Sequence, residues 1–108
     1  MSPDQCQPLL NEFRQNLEAF YATLHLAPPY HSVEKAILCL SSLFKAQTAE
    51  QQAQLLSNEA SRWNLYLQAF TDSGLHNKHR GIIASHARAD DFHQIPNTLR
   101  YLLEPFRL

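Results

Sequence analysis

The chain has 108 residues, a length that fits one domain and leaves little room for an enzyme with a cleft between two lobes. Hydrophobic residues make up 44% and charged residues 18%, as in soluble globular proteins. The formal net charge of -1 excludes a strong overall field that would attract nucleic acid. We therefore expect a single helical domain over residues 1–108 in which charge acts locally.

The composition also predicts the fold class and the compartment. Leucine, alanine and glutamine are abundant, whereas valine and isoleucine, which favour strands, are scarce. Cys6 and Cys39 form no metal or redox motif, and the polar start resembles no secretory signal. No stretch approaches the roughly 18 to 20 apolar residues of a membrane span. We expect an all-α cytoplasmic protein with reduced thiols and no membrane segment.

Apolar spacing of three and four predicts two helices in the first part of the chain. The first extends from about Pro8 to Leu26 and ends before Pro28 and Pro29, which restrict the backbone. The second is expected to begin at a Ser32 cap. The predicted core positions are Leu9, Phe13, Leu17, Phe20 and Leu24 in the first helix, and Val33, Ala36 or Ile37, Leu40, Leu43 and Phe44 in the second.

A third helix is predicted from a capping box formed by Thr48 and Gln51. We expect it to end at Gly74, since glycine enters a left-handed conformation easily. Its regular apolar stripe predicts that the buried residues are Ala53, Leu56, Ala60, Trp63, Leu67 and Phe70.

A fourth helix is predicted from Leu75 to Ala89, although Gly81 weakens it. Pro96 suits the first turn of a short last helix that carries Leu99, Leu102, Leu103 and Phe106. Because the connections are short, we expect an up-and-down bundle of four helices plus a short C-terminal helix.

An apolar surface on the second and third helices is the first candidate site. Leu38 shares its helical face with polar residues, and so does Leu65, so both are predicted to lie outside the core. If they converge with Tyr66, they form a docking face for a protein partner or a second copy of the chain. The main functional hypothesis is therefore a non-catalytic interaction module, such as an adaptor, a regulator or a small subunit.

A basic segment at residues 76–89 is the second candidate site. It contains Lys78, Arg80 and Arg88 and no acidic residue, so it can attract a phosphate or an acidic surface. The alternative hypothesis is a phosphate-handling module, such as a nucleic-acid-binding small subunit. The segment lacks interleaved aromatic residues, which favours a protein partner.

One motif in this segment resembles a catalytic family. Arg80 and His86, with five residues between them, fit the Arg-x(4 to 6)-His motif of HEPN domains, which are helical and include many dimeric, metal-independent ribonucleases. The resemblance implies that Arg80 would hold the scissile phosphate and His86 would act as acid or base. The family usually has Asn, Asp or His after the arginine, where this chain has Gly81.

Other catalytic and metal motifs are missing from the sequence. It has no phosphate-binding glycine loop and no nucleophile elbow, and it has none of the usual paired zinc or di-iron motifs. His79, His86 and His93 recur every seven residues, whereas helical ligand pairs use spacings of three or four. We therefore expect no metal, no cofactor and no catalytic residues, apart from the Arg80 and His86 alternative.

Overall fold

All the regular structure in the described part of the chain is helical. The structure is a computed structural model that describes the backbone of residues 3–107 and the side chains of residues 5–107. Six α-helices lie in this range: α1 (Gln7–Thr23), α2 (Tyr30–Lys45), α3 (Ala49–Ser57), α4 (Glu59–Asp72), α5 (Arg80–Ala87) and α6 (Asn97–Arg100). Short 3₁₀ helices cover Pro3–Cys6, Leu75–Asn77, Phe92–Gln94 and Glu104–Phe106.

Helix α1 buries the predicted stripe but ends earlier than predicted. Leu9, Phe13, Leu17, Phe20 and Leu24 are all buried. The end is a Schellman motif at His25, whose φ of 59° is left-handed, and it precedes both prolines. In this motif the Leu26 N–H donates to the Tyr21 carbonyl at 3.0 Å and the His25 N–H donates to the Ala22 carbonyl at 3.0 Å.

Helix α2 begins two residues before the predicted cap. The Pro29 carbonyl accepts the first helical hydrogen bond, from the Val33 N–H at 2.9 Å. Ser32 therefore lies inside the first turn, and its predicted capping role is wrong. The predicted core positions Val33, Ala36, Ile37, Leu40 and Phe44 are buried, and Leu43 is half-buried.

The predicted third helix is two helices, because Asn58 interrupts it. The Thr48 capping box is confirmed at the start of α3. Asn58 is extended, with φ -126° and ψ 112°, and its Oδ1 accepts from the Ser61 N–H at 3.0 Å, which caps α4. The break invalidates the continuous stripe. Ala53, Leu56 and Ala60 are exposed and Trp63 is only half-buried, while the buried residues of α4 are Leu65, Tyr66, Ala69 and Phe70.

The predicted fourth helix is shorter and starts later. Gly74 has the expected left-handed φ of 82° and precedes the Leu75–Asn77 3₁₀ helix. A turn then leads to α5, which contains Gly81 without a break. Pro96 is the N-cap of α6, and the chain continues through turns to the Glu104–Phe106 3₁₀ helix. The C-terminal third is therefore built from short elements.

The core lies mainly between α1, α2 and α4. Helix α2 packs most extensively on α4 and also contacts α1. Aromatic pairs join α1 to α4: Phe13 stacks on Tyr66 at 5.1 Å between ring centroids, and Phe20 meets Phe70 edge to face at 5.5 Å. Helix α5 packs against the 3₁₀ helices at Leu75–Asn77 and Glu104–Phe106, and α6 packs against α1.

The all-α fold class is thus confirmed, while the expected count of four helices plus one is wrong. The up-and-down order of the long helices stays a prediction. None of the helices described in residues 3–107 is long and apolar enough to cross a membrane.

Candidate functional site

The predicted apolar docking face does not exist as a surface. Leu65 is 6% exposed and Tyr66 is fully buried, because the break at Asn58 turns this side of α4 toward the core. Leu38 is 69% exposed, as expected. The prediction that Leu65 lies outside the core is therefore wrong, and the buried Tyr66 does not form a docking face with Leu38.

The exposed apolar side chains of α2 are separated by a charged pair. Tyr30, Glu34 and Leu38 recur every four residues along the helix, and both Tyr30 and Leu38 are well exposed. Glu34 forms an ion pair with Arg14 of α1. Because this pair occupies the turn between the two apolar side chains, they do not form one continuous apolar patch.

Tyr66 instead belongs to a polar network that sequence reasoning missed. The Glu12 Oε1 accepts from the Tyr66 hydroxyl at 2.7 Å and from the Arg62 Nε at 2.8 Å. The Arg62 Nη1 also donates to the Leu55 and Leu56 carbonyls at the end of α3. Burial raises the pKa of Glu12, but the hydrogen bonds from Arg62 and Tyr66 outweigh it and hold that pKa below the ordinary value. The network ties α1, α3 and α4 together.

Two of the three predicted anion-binding residues line one groove. Arg80 and Arg88 lie at the two ends of α5, and Ala84 lies between them in the groove wall. Successive steps of four residues advance only about 40° around a helix, so all three belong to one side of it. Pro105 and Phe106 complete the groove, whose volume is about 250 Å³. We call this site the basic groove.

The walls of the basic groove are held by contacts on both sides. Arg80 Nη1 donates to Asn77 Oδ1 at 3.0 Å, which joins α5 to the preceding 3₁₀ helix. The Phe106 ring lies 5.9 Å from the His76 ring, and His76 also meets Phe70 of α4 at 6.2 Å. Lys78, the third predicted residue, is exposed in the turn before α5 and stands apart from the groove lining.

Helix α5 separates the HEPN-like pair. Arg80 and His86 both lie in α5, and a step of six residues rotates by about 120° around a helix axis. Arg80 is exposed, whereas His86 is half-buried. The two side chains therefore project from different sides of α5, and this geometry does not support a shared role in RNA cleavage.

The histidines do not form a metal cluster in the part of the chain that the structure describes. His79 precedes α5, His86 lies within it, and His93 lies in the Phe92–Gln94 3₁₀ helix. Their seven-residue spacing would align them only in one unbroken helix. Among the described residues, no group of three or more His, Cys, Asp or Glu side chains could hold a metal ion.

A second groove, which the sequence did not indicate, adjoins the C-terminal segment. It has a volume of about 290 Å³ and is lined by Trp63, Asn97, Arg100, Tyr101 and Glu104. The Trp63 and Tyr101 rings are almost parallel, at 4°, with centroids 5.4 Å apart. We call this site the aromatic groove. Because its aromatic residues come from distant parts of the chain, periodicity could not reveal it.

Comparisons with known proteins add no relative to this description. No protein-family model matches the chain, and neither a curated protein nor a solved structure matches it. Function must therefore be inferred from the chemistry of the two grooves.

Proposed function

We propose that the protein is a non-catalytic helical interaction module that binds an acidic segment of a partner protein in the basic groove. The observation that carries this proposal is that Arg80 and Arg88 line one groove together with apolar Pro105 and Phe106. The proposed role as an adaptor, regulator or small subunit keeps the function class inferred from the sequence and moves the site from α2 and α4 to α5.

The groove matches an acidic peptide in both charge and polarity. A guanidinium can bind a carboxylate through two parallel hydrogen bonds, and Arg80 and Arg88 carry two such groups on backbone positions about 12 Å apart along the helix axis. Ala84, Pro105 and Phe106 provide an apolar surface between them. A segment with two acidic side chains around an apolar one would satisfy both features.

The surrounding charge favours a peptide over a nucleic acid. Asp90 and Asp91 follow Arg88 closely in the chain, and Glu104 precedes Pro105, so acidic side chains interrupt the basic surface. All three are exposed. A strong nucleic-acid binder typically contacts about six to ten phosphates, which two arginines and a net charge of -1 do not provide.

The proposal keeps the cytoplasmic location expected from the sequence, in which Cys6 and Cys39 form no metal or redox motif. It also keeps a second copy of the chain as one form of the protein partner, since residues 1–75 carry most of the acidic side chains. The acidic segment would then come from that half of the neighbouring copy.

Fluorescence anisotropy of a labelled peptide that alternates glutamate and leucine tests the proposal. We expect salt-sensitive binding that weakens about tenfold in Arg80→Gln and in Arg88→Gln, because each variant removes one guanidinium from the groove. Lys35→Gln is the matched control, since it removes one exposed positive charge on α2 and should leave the affinity within twofold.

Single-stranded RNA provides the competing ligand. If RNA binds more tightly than the peptide and its binding needs Arg80 and Arg88, the nucleic-acid alternative replaces the proposal. Failure of the peptide to bind, or equal loss in Lys35→Gln, also overturns it. Circular dichroism of each variant excludes unfolding as the cause.

A further inference from the structure

We propose that the aromatic groove binds a purine nucleotide and prefers guanine. The base would stack against the Trp63 ring and form hydrogen bonds with the Glu104 carboxylate. This site shares no lining residue with the basic groove, although Glu104 directly precedes Pro105, and the proposal does not depend on the acidic-peptide function. It assigns a ligand class to a groove that contains none of the candidate site residues predicted from the sequence.

The aromatic surface is fixed before any ligand arrives. Tyr101 stacks on Trp63, and the Tyr101 hydroxyl accepts a hydrogen bond from Asn16 Nδ2 of α1 at 3.1 Å. Burial raises the pKa of Tyr101, so its hydroxyl stays neutral and keeps this bond. Both rings are half-buried. A rigid, partly covered pair of rings offers a planar ligand a stacking surface at little cost in conformational entropy.

The polar rim of the groove contains both signs of charge. Arg100 is half-buried, and its Nη1 donates to the His93 carbonyl at 3.3 Å, which holds the guanidinium in place. Glu104 and Asn97 are exposed at the same groove. An acidic ligand would pair with Arg100 but be repelled by Glu104. A cationic ligand would pair with Glu104 but be repelled by Arg100.

A guanine nucleotide offers a partner to the Trp63 ring, the Glu104 carboxylate and the Arg100 guanidinium. Its base is planar and can stack beside Trp63, and its N1–H and N2–H₂ donors match the two oxygens of the Glu104 carboxylate. Its phosphate matches Arg100. Adenine presents an acceptor at N1, where the carboxylate needs a donor, so it fits less well. The groove volume of about 290 Å³ is close to the lower limit of small-molecule sites, which is about 300 Å³.

The chain provides its own reporter for the test, since Trp63 is its single tryptophan. Tryptophan fluorescence is recorded while GMP, AMP or guanosine is added at constant ionic strength, with free tryptophan to correct for absorption by the nucleotide. We expect saturable quenching by GMP with at least tenfold higher affinity than AMP. The indole N–H resonance of Trp63 in an NMR titration gives the same affinities independently.

Two variants separate the contacts. Glu104→Gln should remove the preference, so that GMP and AMP bind within twofold of each other. Arg100→Gln should weaken GMP about tenfold and leave guanosine unchanged, because guanosine has no phosphate. Arg88→Gln is the matched control: Arg88 does not line the aromatic groove, so this variant should leave GMP binding unchanged, whatever happens to the peptide.

The outcomes are distinct. Absence of saturable quenching by GMP in the folded wild-type protein overturns the proposal, and so does a preference for GMP that survives in Glu104→Gln. If Arg88→Gln weakens GMP as much as Arg100→Gln does, the phosphate binds in the basic groove and the assignment to the aromatic groove is wrong.

Discussion

The two parts of the chain are stabilised in different ways. Residues 7–72 form four α-helices whose apolar faces pack against one another, and the Glu12, Arg62 and Tyr66 network lies among them. Residues 75–107 consist of two short α-helices and three 3₁₀ helices. Each part has buried polar atoms with no hydrogen-bond partner among the described residues: the Tyr21 hydroxyl in the first part, and the Nδ1 atoms of His76 and His79 in the second. The first part acts as a scaffold, and the second provides most of the residues that line the two grooves.

This division matches a general property of proteins: recognition residues often lie on short connecting segments that a rigid scaffold positions. Four residues of the aromatic groove and all five of the basic groove come from residues 75–107, while Trp63 comes from α4. We therefore expect substitutions in the scaffold to change the free energy of unfolding strongly. Substitutions in the C-terminal part should change it less and affect binding more.

The largest expected effect distinguishes Leu38 from Leu65, two leucines that were both predicted from the sequence to lie outside the core. Leu65→Glu should lower the free energy of unfolding by about 3 kcal/mol or more, because it removes apolar burial and buries a carboxylate. Leu38→Glu on the exposed side of α2 should change it by less than about 0.5 kcal/mol. Urea denaturation followed by circular dichroism measures both. Equal stability of the two variants would show that α4 presents a different face to the core.

The sequence predicted α1 and α2 well because their apolar stripes are regular and their neighbours cover one side of each helix. The prediction from sequence failed at α3 and α4 because Asn58 can either continue a helix or cap the next one. Tertiary packing determines which of the two occurs. The predicted apolar stripe through Trp63 required a single helix in place of α3 and α4, and the structure has two.

The candidate sites were predictable to different degrees. Arg80 and Arg88 lie within one short segment, so their charge was visible in the sequence, although the role of Phe106 in their groove was not. Glu12 and Arg62 are 50 residues apart, and their ion pair depends on how α1 packs against α4. Contacts of this kind follow from tertiary structure and leave no periodic pattern.

The next effect tests the polar network of the scaffold. Glu12→Ala should cost about 1.5 to 3 kcal/mol at neutral pH, since it leaves the Arg62 guanidinium and the Tyr66 hydroxyl without a charged acceptor. Glu18→Ala is the control, because Glu18 is exposed on the same helix and should change stability by less than about 0.5 kcal/mol.

The same network makes stability depend on pH. The pKa of Glu12 is lower in the folded chain than its ordinary value of 4.5, so the folded state binds the proton less tightly than the unfolded state. The stabilisation is therefore complete above the unfolded pKa and is lost as pH falls through the folded pKa. Denaturation series between neutral and acid pH should show this loss in the wild type and a smaller one in Glu12→Ala. If the free energy of unfolding depended equally on pH in the wild type and in Glu12→Ala, this expectation would be contradicted.

A smaller effect tests the junction between the two parts. Gly74→Ala should destabilise the chain by about 1 kcal/mol, because alanine enters the left-handed region at a cost. Gly81→Ala in the first turn of α5 should stabilise it by roughly 0.4 to 1 kcal/mol, since alanine lowers the conformational entropy of the unfolded chain. A methyl group at either position would meet no atom within 4 Å, so crowding does not confuse the comparison. Thermal unfolding midpoints should move in opposite directions, and a shift of the same sign would contradict this.

The smallest effect concerns the end of the C-terminal part. The Arg107 guanidinium carbon lies 4.0 Å from the centre of the Phe92 ring, within the range of a cation–π contact. Because Arg107 is exposed, we expect Arg107→Gln to cost only about 0.5 to 1 kcal/mol. A double-mutant cycle with Phe92→Leu isolates the pair, since Phe92 is also buried in the core.

Hydrogen exchange shows where this contact acts. Arg107 follows Phe106, a wall of the basic groove, so loss of the contact should loosen the Glu104–Phe106 3₁₀ helix and the end of α5 that packs on it. Amide exchange should therefore become faster in residues 80–107 of Arg107→Gln and stay unchanged in α1 and α4. Local opening requires a segment that is less stable than the rest of the chain. Faster exchange throughout the chain would instead mean that the C-terminal part does not open by itself, because it is coupled to the scaffold as strongly as the long helices are coupled to one another.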